Sequence, residues 1–411
     1  MDIQKLRTTH QNLLDYMEKE HFGKVAISGV RAKLNQLFAK EGQYESYNDF
    51  YRKFINPEGL EGTSRKLKHQ RTSLRHVQAF DEFGHYPNRL PFTPTLYNNS
   101  CENRITKIYS SIIENYRELA EKSSKSPKSI RVESKAAAAF FDHVQRLGAN
   151  RLAEITEEHI ISFFYDGFKQ KRCTSYKSKV LAVLRTTKGT EHETECFRLI
   201  GLMPPLKTFR KNFAILNDAE VRKIKDVLQE EFNLTLREKA VISVAMYTGL
   251  RATDIAKMTV DEIDWRNDLI KLKQSKTHQD LILPLRAVVG NALYEYLLNE
   301  RPKVYDTKSI FMNMHCPSHK LTGETIGGLA RRFFDKLGIR RGEGQNGIRL
   351  FRRYLATKLL QEGVTPRYIS EIMGHLSPES LNPYIDADIE HLRECGLDIS
   401  MYPIGEEIFD V

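Results

Sequence analysis

The stretch from Gly347 to Tyr384 reads GIRLFRRYLATKLLQEGVTPRYISEIMGHLSPESLNPY. Arg349 and Arg352 are three residues apart, so they are neighbours on one face of a predicted helix. A second short helix is predicted to end just before His375, and the tyrosine at the end of the stretch follows nine residues later. Two arginines, a histidine and a tyrosine can hold and attack a phosphate, so the stretch predicts a phosphoryl-transfer site.

Two further blocks lie upstream of this stretch. The sequence TGLRATD ends at Asp254 and adds a third arginine, Arg251. Apolar and polar residues then alternate across residues 269–285, interrupted by a polar turn, which predicts a β-hairpin with Lys276 at its tip. Most of the remaining C-terminal half has helical periodicity, so we expect a mainly α region with one small antiparallel β-sheet.

Taken in order, TGLRATD, the Lys276 hairpin, RLFRRYLAT, MGH and the final tyrosine resemble the catalytic domain of tyrosine recombinases of the phage or transposon integrase kind. The resemblance covers roughly residues 213–396. It implies that Arg251 and Arg352 clamp the two non-bridging phosphate oxygens, for which forked and permanently charged guanidinium groups are well suited. Tyr384 would be the nucleophile, and His375 would hydrogen-bond the phosphate.

The resemblance also implies supporting roles. Lys276 would act as general acid and protonate the leaving 5′ oxygen. Asp254, three residues after Arg251, would brace that arginine from the same helical face. Arg349 departs from the family pattern, which usually has histidine and sometimes lysine at this place in HxxR. Since an arginine hardly accepts a proton, either Arg349 contributes charge and hydrogen bonds alone, or the activity is reduced.

Two breaks divide the chain into three predicted domains. Three prolines between residues 87 and 94 mark a linker near residue 100, and Met203-Pro204-Pro205 mark a second. Residues 1–99 would form a helical N-terminal extension and a candidate arm-type DNA-binding region. Residues 100–205, with four short helices, match the family's core-binding domain, and residues 206–411 would form the catalytic domain with a C-terminal tail.

Basic residues and net charge favour a polyanionic partner such as DNA or RNA. The net charge is +10. The candidate phosphate contacts of the core-binding domain are Lys169, Lys171, Arg172, Lys177, Lys179 and Arg185. These six residues, and a basic stretch from Arg65 to Arg75, have a second interpretation as solvated helix faces.

Cysteine and histidine patterns predict neither disulfides nor a metal. The five cysteines form no CxxC pair, which indicates a reducing compartment. His315-Cys316-Pro317-Ser318-His319 lacks the second half of a zinc site, so we interpret it as a loop. The chain shows no signal-peptide pattern and no apolar run of transmembrane length, so we expect a cytoplasmic protein, at the bacterial nucleoid, with no membrane partner.

The function implied by the resemblance is site-specific DNA recombination or integration for a mobile genetic element. The helical core-binding domain and the catalytic domain would form a C-shaped clamp on double-stranded DNA recombination sites. A homotetramer on paired sites would act through a 3′-phosphotyrosine intermediate and a Holliday junction, with no cofactor, metal or ATP. Accessory DNA-bending or directionality factors are further expected partners.

Two other functions stay open at this point. A catalytically impaired DNA-binding protein derived from a recombinase would explain Arg349, and a type IB topoisomerase shares the same chemistry. In the C-terminal tail, Ile389, Leu392 and Leu397 form an amphipathic stretch. This stretch either packs on its own domain or, as the resemblance implies, docks on a neighbouring protomer.

Overall fold

The computed structural model describes residues 1–58, 64–87, 101–208, 214–229, 234–303, 307–313, 321–340 and 346–385. Within these ranges the chain is mainly helical with two small antiparallel sheets, which confirms the predicted fold class. The predicted tail helix, Cys395 and the segment His315–His319 lie outside the described residues. No helix in these ranges is both long and apolar enough to cross a membrane.

The chain divides into two compact units. One contains Met1–His10 and Gly29–Arg210, and the other contains Gln11–Ser28 and Lys211–Val411. The division of the sequence at residues 99 and 205 into three domains stays a prediction. All of the predicted catalytic residues belong to the second unit.

The N-terminal region is helical, as predicted. Its elements are α1 (Ile3–Lys19), α2 (Lys24–Ala39), α3 (Tyr47–Phe50), a π-helical turn (Tyr51–Ile55) and α4 (Arg65–Phe83). Leu34, Leu37, Leu74 and Val77 are buried, as their helical spacing suggests. Burial lowers the pKa of the Arg75 guanidinium, so the basic stretch of α4 is not uniformly solvated.

A second group of helices surrounds an aromatic core between residues 101 and 208. Its elements are α5 (Lys107–Lys122), α6 (Pro127–Arg146), α7 (Glu157–Phe164), β1 (Tyr165–Asp166), β2 (Lys169–Gln170), α8 (Thr174–Leu184) and α9 (Glu193–Gly201). Tyr109 and Phe141 stack in this core with ring centroids 4.5 Å apart. The four predicted helices are present, and the structure adds α9 and a short hairpin. Strands of two residues are too short to produce a readable alternation.

The second unit is built around one buried helix. After α10 (Asp218–Gln229) come α11 (Leu236–Thr248), α12 (Ala252–Lys257), β3 (Ile263–Asp264), β4 (Leu269–Lys273), β5 (Asp280–Pro284), α13 (Ala287–Asn299), α14 (Gly323–Leu337), α15 (Arg349–Gln361), α16 (Pro366–Met373) and α17 (Asn382–Ile385). Helix α11 is buried nearly all round and packs against α13, α14 and α15. Its end at Gly249 therefore lies deep in the unit.

The sheet of this unit carries the predicted hairpin. Strands β4 and β5 pair antiparallel, with Ile270 opposite Leu283 and Leu272 opposite Leu281. These four side chains are buried, while the residues between them face outward. The predicted hairpin is confirmed, and the short strand β3 is an addition. Lys276 is exposed in the turn between the two strands.

Candidate active site

Arg352 is the buried centre of the site. It lies in the first turn of α15 with 8% of its surface exposed. Its Nη1 donates to the carbonyl of Gly249 (2.9 Å), and its Nη2 donates to the carbonyl of Met373 (2.6 Å). Those carbonyls lie at the C-terminal ends of α11 and α16, where backbone acceptors have no partner within the helix. The C-terminal ends of two helices thus hold one arginine in place.

The charge on Arg352 survives this burial. Desolvation, and then the nearby charge of Arg251, lowers the pKa of Arg352 to about 10, while Tyr384 acts in the opposite direction. The guanidinium is therefore still protonated at neutral pH. A buried cation of this kind attracts an anion, and a phosphate is the anion that its forked donors match.

Arg251 points into the same site from α12. It is the N-cap residue of that helix, and its Nη1 donates to Oε1 of Gln274 while its Nη2 donates to the carbonyl of Gly374 (3.4 Å). Because its charge lowers the pKa of Arg352, the two guanidinium groups act on one another at short range. The two arginines predicted from separate sequence blocks are brought together.

His375 follows directly on the end of α16. Gly374 takes a left-handed conformation (φ +58°) that closes the helix, and the His375 amide donates to the carbonyl of Ser370 (2.9 Å). The imidazole Nε2 lies 3.0 Å from Nη2 of Arg352. Burial, followed by the charges of Arg352, Arg251 and Lys276, lowers the pKa of His375 to about 4.

The tautomer of His375 follows from these contacts. A neutral imidazole that accepts from Arg352 at Nε2 must carry its proton on Nδ1. Among the described residues, Nδ1 is buried and has no hydrogen-bond partner. In the His375 ring, Nε2 therefore accepts from Arg352, and the Nδ1–H group remains as a donor without a partner among the described residues.

Tyr384 lies beside His375. The two rings are nearly parallel, at 15°, with centroids 6.2 Å apart. Tyr384 is half-buried against a small apolar cluster formed by Ala356, Ile369, Met373 and Leu381. A side-chain hydrogen bond with Tyr384 acts to raise the pKa of Arg352, so the tyrosine hydroxyl lies beside that arginine.

The local backbone at Tyr384 differs from the prediction. Pro383 directly precedes the tyrosine, and a proline at this place in the sequence predicts the end of a short helix with the tyrosine on a turn. A 3₁₀ turn (Pro378–Leu381) instead leads into the one-turn helix α17, which contains Tyr384. Proline is tolerated in a first helical turn because amides there need no acceptor within the helix.

Asp254 contacts the turn that carries Lys276. It is buried, and its Oδ1 accepts from the backbone amide of Ser275 (2.8 Å). Asp254 therefore anchors that turn. Arg251 donates to Gln274, and the bracing of Arg251 by Asp254 stays a prediction. The influence of Lys276 on the pKa of His375 places that lysine at the same site.

Arg349 and Arg352 differ more than their spacing suggests. Arg349 is exposed at the first position of α15, whereas Arg352 is buried. Burial lowers the pKa of Arg353. Tyr384 acts to raise this pKa, and the charge of Arg349 acts to lower it. Arg353 is therefore a cation near the tyrosine that the sequence analysis missed. The missed signal was the third arginine of RLFRRYLAT.

The six basic residues of the first unit do not share one role. Arg172 lies over the Phe163 ring (3.7 Å) and donates to the Phe163 carbonyl, so it supports the core. Lys177 donates to the carbonyls of Met203 (3.3 Å) and Pro204 (2.8 Å). The other four, Lys169, Lys171, Lys179 and Arg185, have exposed or half-exposed side chains. These four side chains are better placed to contact a phosphate than Arg172 and Lys177, whose side chains bind backbone carbonyls.

The part of the chain that the structure describes contains no cluster of three or more His, Cys, Asp or Glu side chains able to hold a metal ion. Arg352 and Arg353, which both interact with Tyr384, are basic. Such a site is suited to binding an anion directly.

A mainly helical fold whose arginines, histidine and tyrosine meet at one point defines the tyrosine recombinase class. The phage integrase family model matches residues 214–391. The "Putative integrase/recombinase y4gC" of Sinorhizobium fredii is 34% identical over 164 residues, which span 40% of this chain and 83% of that protein. The chain belongs to the phage integrase family, whose members act in site-specific recombination.

Two further relatives extend the likeness beyond the catalytic region. The tyrosine recombinase XerA of Thermococcus onnurineus is 24% identical over 287 residues, covering 69% of this chain and 93% of that protein. Among solved structures, the XerH site-specific recombinase bound to palindromic difH substrate superimposes with a TM-score of 0.53 at 17% identity, covering 72% of this chain and 91% of that one. The structural likeness supports the fold.

Proposed function

We propose that this chain is a site-specific DNA recombinase that cuts and rejoins strands through a 3′-phosphotyrosine intermediate. The observation that carries the proposal is the meeting of Arg251, Arg352, His375 and Tyr384 in one half-buried site. Two cations that keep their charge, a neutral imidazole and a tyrosine are the groups needed to neutralise a phosphodiester and attack it.

In the proposed reaction the Tyr384 hydroxyl releases its proton to water, its oxygen attacks phosphorus, and the bond from phosphorus to the 5′ oxygen breaks. Lys276 supplies the proton that the leaving oxygen needs, and Arg251 and Arg352 stabilise the charge on the non-bridging oxygens. The phosphotyrosine conserves the energy of the broken bond. A 5′ hydroxyl from a partner strand then attacks it and releases the tyrosine, so the reaction needs neither ATP nor a metal.

The electrostatics of the site support this division of roles. At pH 7 a histidine with a pKa near 4 is neutral, so the two arginines carry the positive charge, and His375 has a proton on Nδ1 to donate. Among the described residues, the hydrogen bonds of Arg251 and Arg352 go to three carbonyls, the Gln274 amide and the neutral His375 ring. An incoming phosphate would therefore meet two cations to which no carboxylate of the described residues is hydrogen-bonded.

The remaining parts of the proposal concern assembly. We propose that residues 100–205 act as a core-binding domain and residues 206–411 as a catalytic domain, which together clamp double-stranded DNA. Four protomers on two sites would exchange strands in two rounds through a Holliday junction. Residues 1–99 would bind arm-type DNA, accessory DNA-bending factors would assist, and the reaction would take place in the cytoplasm on the nucleoid.

The decisive experiment uses a nicked suicide duplex made from the DNA that flanks the gene. The natural protein should form a covalent adduct that survives denaturation and EDTA, and Tyr384→Phe should bind the duplex without forming it. An adduct with the Phe variant would reveal another nucleophile. Binding without any adduct would favour the DNA-binding alternative, and relaxation of supercoils without strand exchange would favour a topoisomerase.

A further inference from the structure

The side chain of Gln274, at the end of β4, is fully buried and uses both ends of its amide. Its Oε1 accepts from Nη1 of Arg251 and from the hydroxyl of Thr277 (2.7 Å). Its Nε2 donates to the carbonyl of Met373 (3.1 Å). A buried glutamine with these contacts fixes the positions of several groups at once, because each lost contact would leave a buried polar atom unpaired.

The Met373 carbonyl links Gln274 to the second arginine. That oxygen also accepts from Nη2 of Arg352 (2.6 Å), so one backbone atom connects Gln274 with Arg352 while the other end of the amide contacts Arg251. The next residue, Gly374, leaves room for this arrangement. A Cβ at position 374 would overlap the Gln274 amide.

We propose that Gln274 is a positioning residue that orients Arg251 relative to Arg352 and couples the Lys276 turn to the end of α16. The inference rests on the proposed function of the site. A neutral amide is suited to this role, because it directs a guanidinium without cancelling its charge. A carboxylate at the same place would form a charge-assisted pair with Arg251 and compete with the phosphate for it.

Two substitutions separate the charge of this side chain from its hydrogen bonds. Gln274→Glu keeps the size and should slow single-turnover cleavage by about 10²-fold, while Gln274→Met removes all three side-chain hydrogen bonds and should slow it by about tenfold or more. Single-site DNA binding should change little in either, whereas both should melt at a lower temperature because buried partners lose hydrogen bonds. Gln279→Ala, an exposed side chain in the same turn, is the matched control and should behave as the natural protein does.

The pH dependence of Gln274→Glu gives a readout that a loss of packing would not move. Protonation makes the new carboxyl group neutral, so cleavage relative to the natural protein at the same pH should recover as the pH falls. A ratio that is independent of pH would contradict the charge argument. Cleavage at the natural rate by both Glu and Met variants would overturn the inference.

The same assay keeps this inference separate from the proposed function. If the natural protein forms no Tyr384 adduct, the proposed function fails and the role of Gln274 fails with it. If the natural protein forms the adduct and both Gln274 variants match it, the positioning role alone fails. Should Gln274→Glu melt below the assay temperature, the Met variant still decides the question, because it introduces no buried charge.

A separate observation concerns the tip of the β1–β2 hairpin in the first unit. Tyr165 pairs with Gln170 and Asp166 with Lys169, so the hairpin closes through the two residues Gly167 and Phe168. Gly167 has a φ of +57°, as a tight hairpin turn requires at its first central position. The Phe168 side chain is completely exposed to solvent.

The charges around this tip are mostly basic, and the exception is the exposed Asp166, which lies 3.6 Å from the Lys171 ammonium. From residue 167 to residue 190 the sequence contains seven basic residues and no acidic one. The basic residues are Lys169, Lys171, Arg172, Lys177, Lys179, Arg185 and Lys188. Such a segment attracts a polyanion, and an exposed ring on a short rigid turn gives that polyanion an apolar contact.

We infer that Phe168 contacts duplex DNA directly, with its ring in a groove or against a base step. The inference also rests on the proposed DNA substrate. Phe168→Ala should weaken single-site binding about tenfold, the lower end expected for losing one base–aromatic contact, while Phe168→Leu should retain most of it. Phe197→Ala, a partly exposed phenylalanine on α9, is the control and should bind normally.

The test uses Tyr384→Phe as background, so that binding is measured without cleavage. A duplex with 2-aminopurine at successive positions should show a fluorescence increase that Phe168→Ala abolishes. Normal single-site binding by Phe168→Ala together with loss of paired-site complexes would assign the ring to a second copy of the chain and overturn the inference. If the natural protein does not bind DNA at all, the proposed function is contradicted instead.

Discussion

Arg352 is a buried cation that backbone carbonyls hold in place. The carbonyls of Gly249 and Met373 accept from its two terminal nitrogens, and His375 contacts one of them. Carbonyl dipoles at helix C-terminal ends favour a positive charge without neutralising it. The carbonyls therefore fix the position of the Arg352 guanidinium, and its positive charge remains able to attract a phosphate.

The first prediction concerns the two arginines of the clamp. Arg251→Ala or Arg352→Ala should slow cleavage by about 10²–10³-fold. Each variant lacks hydrogen-bond donors that stabilise the negative charge on the phosphate oxygens in the transition state. Binding to a single site should fall much less, since many other phosphate contacts remain. Single-turnover cleavage and gel shifts on one duplex measure both quantities. Equal losses of rate and binding would mean that these arginines only position DNA.

The second prediction concerns Arg349. An exposed arginine at the first position of α15 faces the positive end of that helix, so helix stability does not explain it. Arg349→Ala should leave the melting temperature unchanged or slightly higher and should lose most cleavage, while Arg349→Lys should keep much of it. We expect its charge to stabilise the negative charge that builds on the phosphate and the attacking Tyr384 oxygen in the transition state.

The alternative account of Arg349 has its own outcome. If the chain is an impaired recombinase, the natural protein should be inert on its flanking DNA and Arg349→His should restore cleavage. That result would move the chain to the class of DNA-binding proteins without catalysis. Arg353→Ala tested beside Arg349→Ala would show which of the two cations acts on the tyrosine.

The third prediction concerns pH. The pKa of His375 falls from an ordinary value near 6.5 to about 4 in the folded protein, so the unfolded chain binds the proton more readily. The stability that His375 contributes is complete above about pH 6.5 and is lost as the pH falls toward 4. His375→Gln should therefore melt with a weaker pH dependence than the natural protein between pH 4 and 6.5. Parallel curves for the two proteins would contradict the lowered pKa.

Single residues also mark the limit of what the sequence could predict. The site residues Arg251, Arg352, His375 and Tyr384 stand in motifs of fixed order, and the structure brings them together. Gln274 stood in no such motif, and its role depends on burial and on two partners distant in sequence, Arg251 and Met373. Burial of that kind is a property of the folded chain, because it arises where separate elements meet.

Among the elements, the hairpin and the ends of two helices build the site. The β4–β5 hairpin carries the Lys276 turn, α11 ends at Gly249, and α16 ends at Gly374. Glycine in the left-handed conformation stops each helix and leaves its last carbonyls for arginine donors. The catalytic groups are thus placed by where the elements end.

The fourth prediction concerns the anchor of the Lys276 turn. Asp254→Ala should remove the acceptor for the Ser275 amide, which would destabilise the fold by about 1–2 kcal/mol and slow cleavage by loosening the lysine. Asp254→Asn keeps one oxygen and should be milder. Asp280→Ala, an exposed position on β5, is the control. Chemical denaturation and single-turnover cleavage measure the two effects, and a normal cleavage rate for Asp254→Ala would show that Lys276 needs no anchor.

Longer elements were easier to predict from the sequence than short ones. The β4–β5 hairpin was foreseen, because two strands of five residues each give a clear alternation. The helical turn at Tyr384 was not foreseen, since a proline indicates both a helix end and a helix start. Short elements are determined by the packing around them more than by their own sequence.

At the scale of the whole molecule, the fifth prediction concerns the C-terminal tail, which lies beyond the described residues. The amphipathic spacing of Ile389, Leu392 and Leu397 suggests a segment that docks on a neighbouring protomer. Truncation after Asp388 should leave a folded protein that binds one site but assembles poorly on two. Native gels with one-site and paired-site DNA would show the difference, and unchanged paired complexes would assign the tail to its own domain.

The contact between Gly374 and Gln274 also constrains how this site can change over evolutionary time. Position 374 excludes a side chain twice, through its left-handed backbone and through the amide that fills the adjacent space. A lineage could replace the glycine only after residue 274 had become smaller, and that first step would already release Arg251. The order of substitutions is therefore fixed, and its intermediate would be selected against wherever recombination matters.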